Sequence, residues 1–121
     1  MESRRQRQVG ELIKRNFSMV IFQEGSYVYG TEALVSVTHV VMSPDLGLAK
    51  IYLSVYNTEN KQAVLLQINQ NLHRLKQLLT QRIRKQVRRI PQIAVYIDET
   101  LDEIDRIDQL FDRINNDEPE Q

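Results

Sequence analysis

Residues 34–57 read LVSVTHVVMSPDLGLAKIYLSVYN, two extended runs on either side of a tight turn. The first run, taken as residues 32–42, is rich in β-branched side chains, which suit a pleated strand better than a helix. SPDLG places proline, aspartate and glycine at turn-prone positions. The second run alternates, and its apolar positions are Ala49, Ile51, Leu53 and Val55. The stretch predicts an antiparallel hairpin with one buried face.

A helix is predicted before the hairpin, over residues 5–22. Gly10 costs about 1 kcal/mol relative to alanine, so the first turn is expected to fray. EGSYVYG, residues 24–30, has two glycines and no helical periodicity, which predicts a loop. The apolar positions of the helix share one face and are Val9, Leu12, Ile13, Phe17, Val20 and Ile21.

Helical periodicity returns between Asn57 and Pro91 and spans about twice an ordinary helix length. The sequence therefore predicts either one long helix or two helices joined by a bend. On a straight helix Lys76 would fall inside the apolar stripe, which favours a bend near residues 71–76. The apolar stripe consists of Val64, Ile68, Leu72, Leu75, Leu79, Ile83 and Val87.

Pro91 is expected to end this helical run, and QIAVYID, residues 92–98, predicts a third strand by its alternation. TLDE at residues 100–103 has the spacing of a capping box and opens an acidic amphipathic helix. The predicted domains are a body over 1–98, a helix over 99–114 packed on it, and a disordered tail over 115–121. The fold class is α+β, with a small mixed three-stranded sheet and helices on one face.

The formal net charge of zero conceals an uneven distribution of charge along the chain. Residues 1–59 carry six basic and six acidic side chains, and residues 60–97 carry eight basic and no acidic ones. Residues 98–121 carry two basic and ten acidic side chains, so the three local charges are 0, +8 and −8. Salt screens interactions between charges that are more than roughly 8 Å apart, so the acidic segment does not have to cancel the charge of the basic segment. The basic segment can therefore still face phosphate.

Basic residues concentrate in RIRKQVRRIP, residues 82–91, on the predicted solvent-exposed face of the long helix. A basic face can merely keep a helix soluble, but an ordinary solvent-exposed face carries both acidic and basic side chains. An acid-free run of 38 residues instead favours phosphate contact. Tyr52 and Tyr56 on the outer strand face are weaker candidates for base stacking. The candidate RNA-binding residues are Arg4, Arg5, Arg7, Lys14, Arg15, Arg74, Lys76, Arg82, Arg84, Lys85, Arg88 and Arg89.

No pattern in the chain indicates catalysis, a cofactor or a metal. His39 and His73 are far apart, Asp45 suits a turn, and the acidic segment lacks a calcium-loop motif. The absence of cysteine excludes disulfides and thiolate metal sites and fits a reducing cytosol. Neither a signal peptide nor a stretch of about 18 apolar residues occurs. We expect a cytoplasmic, non-enzymatic protein with no membrane partner and no small-molecule substrate.

The element order and three segments together resemble the ribosome-binding factor A family. The segments are the hairpin at 34–57, RIRKQVRRIPQIAVYID at 82–98 and DETLDEIDRIDQLFDRI at 98–114. The resemblance implies a type II KH-like domain, α-β-β-α(kink)α-β, followed by a C-terminal helix. It also implies a monomer that binds the free small (30S) ribosomal subunit and its 16S rRNA and assists late, cold-sensitive maturation. The helix kink of the family aligns with Asn71-Leu72-His73.

Two other functions remain open from the residues alone. The same basic charges would serve a generic KH-like RNA adaptor outside the ribosome, which would bind arbitrary structured RNA equally well. A protein-interaction module could instead dock a basic partner on the acidic segment 98–114. In that case, charge reversal at Arg84, Arg88 and Arg89 would leave activity intact.

Overall fold

The computed structural model describes residues 2–99, which form three helices and three strands. The strands make one sheet in the order β1-β2-β3, with β1 and β2 antiparallel and β2 and β3 parallel. The predicted α+β class, mixed sheet and KH-like element order are confirmed, whereas the predicted helix over 99–114 lies outside the described residues, apart from Glu99. The elements are α1 (Arg4–Tyr29), β1 (Leu34–Met42), β2 (Leu48–Tyr56), α2 (Lys61–Gln70), α3 (Leu72–Ile83) and β3 (Gln92–Ile97).

The hairpin has the predicted buried face and the predicted turn. Asp45 Oδ1 accepts hydrogen bonds from Ser43 Oγ at 2.7 Å and from the Gly47 amide at 3.0 Å. Ser43 Oγ in turn accepts from the Leu48 amide at 2.9 Å, so the turn is closed by side chains as well as backbone. Leu46 adopts a left-handed backbone with φ of 61°. The inward residues of β2 are buried, as predicted: Ala49, Ile51, Leu53 and Val55.

Helix α1 is longer than predicted, and the expected loop at residues 24–30 is wrong, since the helix continues to Tyr29. Gly25 is buried, and the Tyr29 phenol packs over it so closely that a Cβ at Gly25 would collide with the ring. Val28 and Tyr29 also pack against the core, and this tertiary packing outweighs the low helix propensity of glycine. Gly30, with φ of 91°, ends the helix in a conformation that favours glycine.

The N-terminal half of α1 is tightly fixed rather than frayed. Ser3 Oγ accepts from the Gln6 amide at 3.1 Å, and Gln6 Oε1 accepts from the Ser3 amide at 2.7 Å, which is a capping box. Gly10 is buried against β1, where a Cβ would lie 3.2 Å from the Val40 carbonyl oxygen. Glycine therefore allows α1 to approach the sheet closely at this position.

The long helical segment is two helices, which confirms the predicted bend. Asn71 lies between α2 and α3 with φ of −109° and ψ of 11°, outside helical geometry. The predicted end at Pro91 is wrong, because α3 stops at Ile83 and residues 84–86 form a turn. The chain needs the intervening residues to return to Gly47, whose carbonyl accepts from the Gln92 amide at 2.9 Å as β3 begins.

Candidate nucleic-acid interface

The basic run after α3 lies on a loop, residues 84–91, which we call the basic loop. The prediction that these side chains occupy a helix face is wrong for all four of its cations. Val87 is only 8% exposed and Pro91 is fully buried, so two side chains anchor the loop to the core. The anchored loop leaves its cations exposed, and these are Arg84, Lys85, Arg88 and Arg89.

The basic loop faces the start of α1 and the hairpin turn across a depression of about 390 Å³, which we call the cleft. Its floor is apolar and its rim is mostly cationic, with Asp45 as the carboxylate on the rim. A second depression continues along α1 and includes Arg15 and Glu11. The cleft therefore joins three segments distant in sequence, and its lining residues are Arg5, Val9, Asp45, Leu46, Val87, Arg88 and Arg89.

Arginines at the start of α1 oppose the helix dipole. Arg4 and Arg5 occupy the first turn, which contains no acidic residue. Cations at a helix N-terminus are disfavoured by roughly 0.3–1 kcal/mol each at low salt, whereas anions are favoured there. A local arrangement that costs stability is expected where function requires it. The first turn of α1 thus places arginine side chains at the end of the helix where the dipole favours an anion.

The structure brings only some of the predicted α1 cations to the cleft. Arg5 and Arg15 are about 80° apart on the helix and line the two depressions. Arg7 and Lys14 lie about 180–200° from Arg5 and therefore face the opposite flank of α1. Their flank is separate from the basic loop, so the twelve candidates do not form one continuous surface.

Three predicted residues on α3 are engaged within the fold. Arg74 Nη2 lies 3.2 Å from Glu24 Oε1, which ties α3 to α1. The same helix is tied by Arg82 Nε, which donates to an α1 side chain, Asn16 Oδ1, at 3.1 Å. Lys76 Nζ donates to Gln92 Oε1 at 3.1 Å. By contrast, no side-chain hydrogen bond or ion pair within residues 2–99 occupies the cleft arginines Arg5, Arg88 and Arg89, or Arg15 in the second depression.

Hydrogen bonds from Ser43 and the Gly47 amide, together with the nearby positive charge of Arg89, lower the pKa of Asp45 below its ordinary 3.8. A carboxylate with a lowered folded-state pKa stabilises the fold above the unfolded-state pKa and loses this effect as pH falls through the folded-state value. We therefore expect Asp45→Asn to be less stable than the parent at neutral pH. The difference should shrink below pH 3.8. Urea unfolding at a series of pH values measures it, and a constant difference would contradict the assignment.

The outer face of the sheet carries a row of stacked rings that the sequence analysis missed. His39 and Tyr52 stack with centroids 4.4 Å apart, and Tyr52 and Tyr96 stack at 5.5 Å. Because Tyr52 lies on the central strand, its ring has a neighbour on each side and does not offer a free face to a base. The centroid of the Tyr56 ring lies 5.8 Å from Lys61 Nζ. The sequence indicates that these rings point outward from their strands. Which rings stack on one another depends on how the strands pair, and the sequence does not give that pairing.

The described part of the chain offers little else as a site. Among residues 2–99, no three histidine, aspartate or glutamate side chains cluster as metal ligands. Within the same range, every helix is too short or too polar to cross a membrane. The cleft therefore combines depth and positive charge with arginine side chains that make no side-chain hydrogen bond or ion pair within the described residues.

The fold and the cleft define a KH-like α+β domain with a cationic surface depression. The sequence profile described as ribosome-binding factor A matches residues 5–111. A protein of that name from Cytophaga hutchinsonii is 40% identical, over 94% of this chain and 85% of its own length. Another from Flavobacterium psychrophilum is 36% identical, over 89% of this chain and 83% of its own length. The chain belongs to the ribosome-binding factor A family.

Solved structures agree with this assignment at the level of the fold. The crystal structure of ribosome-binding factor A from Thermus thermophilus matches with a TM-score of 0.64 at 18% identity and covers 76% of this chain and 94% of its own. A homology model of the Thermus thermophilus protein, fitted into a cryo-EM map of a 30S complex, matches with a TM-score of 0.57 at 23% identity. It covers 74% of this chain and 90% of its own.

Proposed function

We propose that this protein binds the free small ribosomal subunit in the cytoplasm and assists late maturation of 16S rRNA, without catalysing a reaction. Family membership supports a ribosome-binding role. The fitted complex of the Thermus thermophilus protein supports the small subunit as the partner. A non-catalytic factor of this kind acts by holding RNA in one arrangement.

The observation that carries the proposal is the convergence of cleft arginines from α1 and from the basic loop. Arg5, Arg88 and Arg89 surround one depression, although Arg5 is more than 80 residues from the other two in the chain. No ion pair or side-chain hydrogen bond with residues 2–99 occupies them. Guanidinium groups bind phosphate through a planar pair of N–H donors, and each phosphate contact releases counterions. The cleft arginines therefore bind rRNA phosphates.

The remaining cations divide by position. Arg4, Arg84 and Lys85 are exposed at the start of α1 and on the basic loop, where they extend the phosphate-binding surface. The α3 residues Arg74, Lys76 and Arg82 serve mainly to hold the helices and β3 together. Arg7 and Lys14 face another flank and contribute less. Because phosphate contacts position without specifying sequence, this surface recognises the shape of the RNA.

The acidic segment 99–114 is proposed to lie away from the RNA. Its carboxylates would repel phosphate, so they orient the domain with the basic surface towards the subunit. Deleting residues 99–121 should then leave RNA affinity within a few-fold of the parent. A many-fold gain in affinity, with the domain still folded, would instead indicate that the segment shields the basic surface.

Sedimentation of a tagged copy through cell lysate tests the proposed partner. We expect the protein to comigrate with free small subunits and to be absent from assembled ribosomes. Comigration only with assembled ribosomes would contradict the proposal. Competition with unrelated structured RNA adds a control, because equal affinity for both RNAs would favour a general RNA adaptor instead.

A further inference from the structure

We infer that the cleft accepts one unpaired RNA nucleotide and selects a base that carries an amino group, with Asp45 as the hydrogen-bond acceptor. The inference rests on the proposed function, since it assigns a base-recognising role to the same site. It goes further because phosphate contacts alone give no preference among bases.

The floor of the cleft suits a base rather than a phosphate. Val9 is 4% exposed and Val87 is 8% exposed, and together with Leu46 they present hydrocarbon to the opening. A phosphate on this floor would lose hydration without gaining hydrogen bonds. The volume of about 390 Å³ falls within the roughly 300–1,000 Å³ of sites for small organic ligands. A flat base can cover the apolar floor while its phosphates remain at the rim.

The rim provides cations on two sides of that floor. Arg5 comes from α1, and Arg88 and Arg89 come from the basic loop. Phosphates on either side of one nucleotide can therefore each meet a guanidinium group. Arginine also stacks on base faces, which a lysine in the same place would do less well.

Asp45 is the part of the cleft that phosphate binding does not explain. A carboxylate among three arginines repels phosphate, yet Asp45 lines the cleft beside them. Its Oδ1 accepts hydrogen bonds from Ser43 Oγ and the Gly47 amide, while no other side chain within residues 2–99 donates to Oδ2. The turn thus fixes a carboxylate with one oxygen available to a ligand.

The backbone beside Asp45 supports a functional position. Leu46 has φ of 61°, a left-handed conformation that is sterically unfavourable for a residue other than glycine. Strained residues of this kind cluster at ligand sites, where the surroundings hold them in place. Here the strain places Leu46 on the cleft floor next to the carboxylate.

The chemistry of a fixed carboxylate predicts which bases fit. Adenine, cytosine and guanine each offer an exocyclic amino group that can donate to Asp45 Oδ2. Uracil offers only its N3–H, which lies between two carbonyl oxygens that the carboxylate repels. The cleft should therefore disfavour uridine.

Titrations with four pentanucleotides, UUAUU, UUCUU, UUGUU and UUUUU, test the preference at fixed salt. We expect the first three to bind roughly five- to tenfold more tightly than UUUUU. In Asp45→Asn an amide N–H₂ can replace Oδ2, so the preference should shift towards UUUUU. Equal binding of all four by the parent protein would overturn the inference, whatever the variant does.

Glu11→Gln is the matched control, because Glu11 lines the neighbouring depression and not the cleft. It removes the same charge and should tighten all four oligonucleotides equally. A preference shifted as much by Glu11→Gln as by Asp45→Asn would also overturn the inference. Neither result affects the proposed function, which fails separately if small subunits do not bind.

Discussion

Replacing Arg5, Arg88 and Arg89 together by glutamine is expected to lower affinity for 16S rRNA at least about 100-fold at low salt. Hydrogen bonds to charged groups contribute roughly 1.5–3 kcal/mol each, and all three side chains line the cleft. The slope of log affinity against log salt should also fall in magnitude by about 2–3, because binding releases fewer counterions when phosphate contacts are lost. Filter binding over a salt series measures both quantities.

A second triple variant, Arg7→Gln with Lys14→Gln and Lys50→Gln, separates position from net charge. It removes three cations as well, but from the far flank of α1 and from an exposed strand position. We expect affinity within a few-fold of the parent and a nearly unchanged salt slope. If the control weakens binding as much as the cleft variant, attraction is general and the cleft is not the binding site.

Phe17→Ala is expected to destabilise the protein by about 3–5 kcal/mol, a large share of the roughly 5–15 kcal/mol that holds a domain folded. Phe17 is fully buried in the core beneath α1. Its loss removes apolar burial and leaves a cavity among side chains that relax only partly. Urea unfolding followed by circular dichroism measures the change.

Phe22→Ala is the matched comparison for that prediction. The same substitution is made in the same helix, where Phe22 is 85% exposed. We expect a change within about 0.5 kcal/mol, as for surface positions generally. A large loss at Phe22 would mean that its ring is covered in solution, and a small loss at Phe17 would contradict the described core.

The sheet and the core were largely predictable because their patterns are local. Alternation in β2 and in β3 identifies the inward side chains directly, and the SPDLG turn sets the pairing next to it, although the register shifts between Val37 and His39. The end of α1 was not predictable in this way, since Gly25 signals a loop locally, whereas Val28 and Tyr29 continue the helix by packing against the core. Tertiary contacts decided that boundary.

The composition of the cationic surface was predictable from the sequence, but its arrangement was not. The acid-free run identified the cations of the basic loop, yet it placed them on a helix. What the sequence could not supply is proximity, because Arg5 reaches the loop only through the packing of α1 on the sheet. Arg74 and Arg82 are likewise engaged by side chains of α1, and these contacts depend on how α3 packs against α1.

The hydrogen bond from the Gln92 amide to the Gly47 carbonyl has a consequence for the timing of activity during synthesis. Arg5 is among the first residues made, but the basic loop reaches its position only once β3 has joined the sheet. A nascent chain must therefore release nearly the whole domain before the cleft can form. If the cleft binds RNA as proposed, a partly synthesised protein does not yet have the complete binding site.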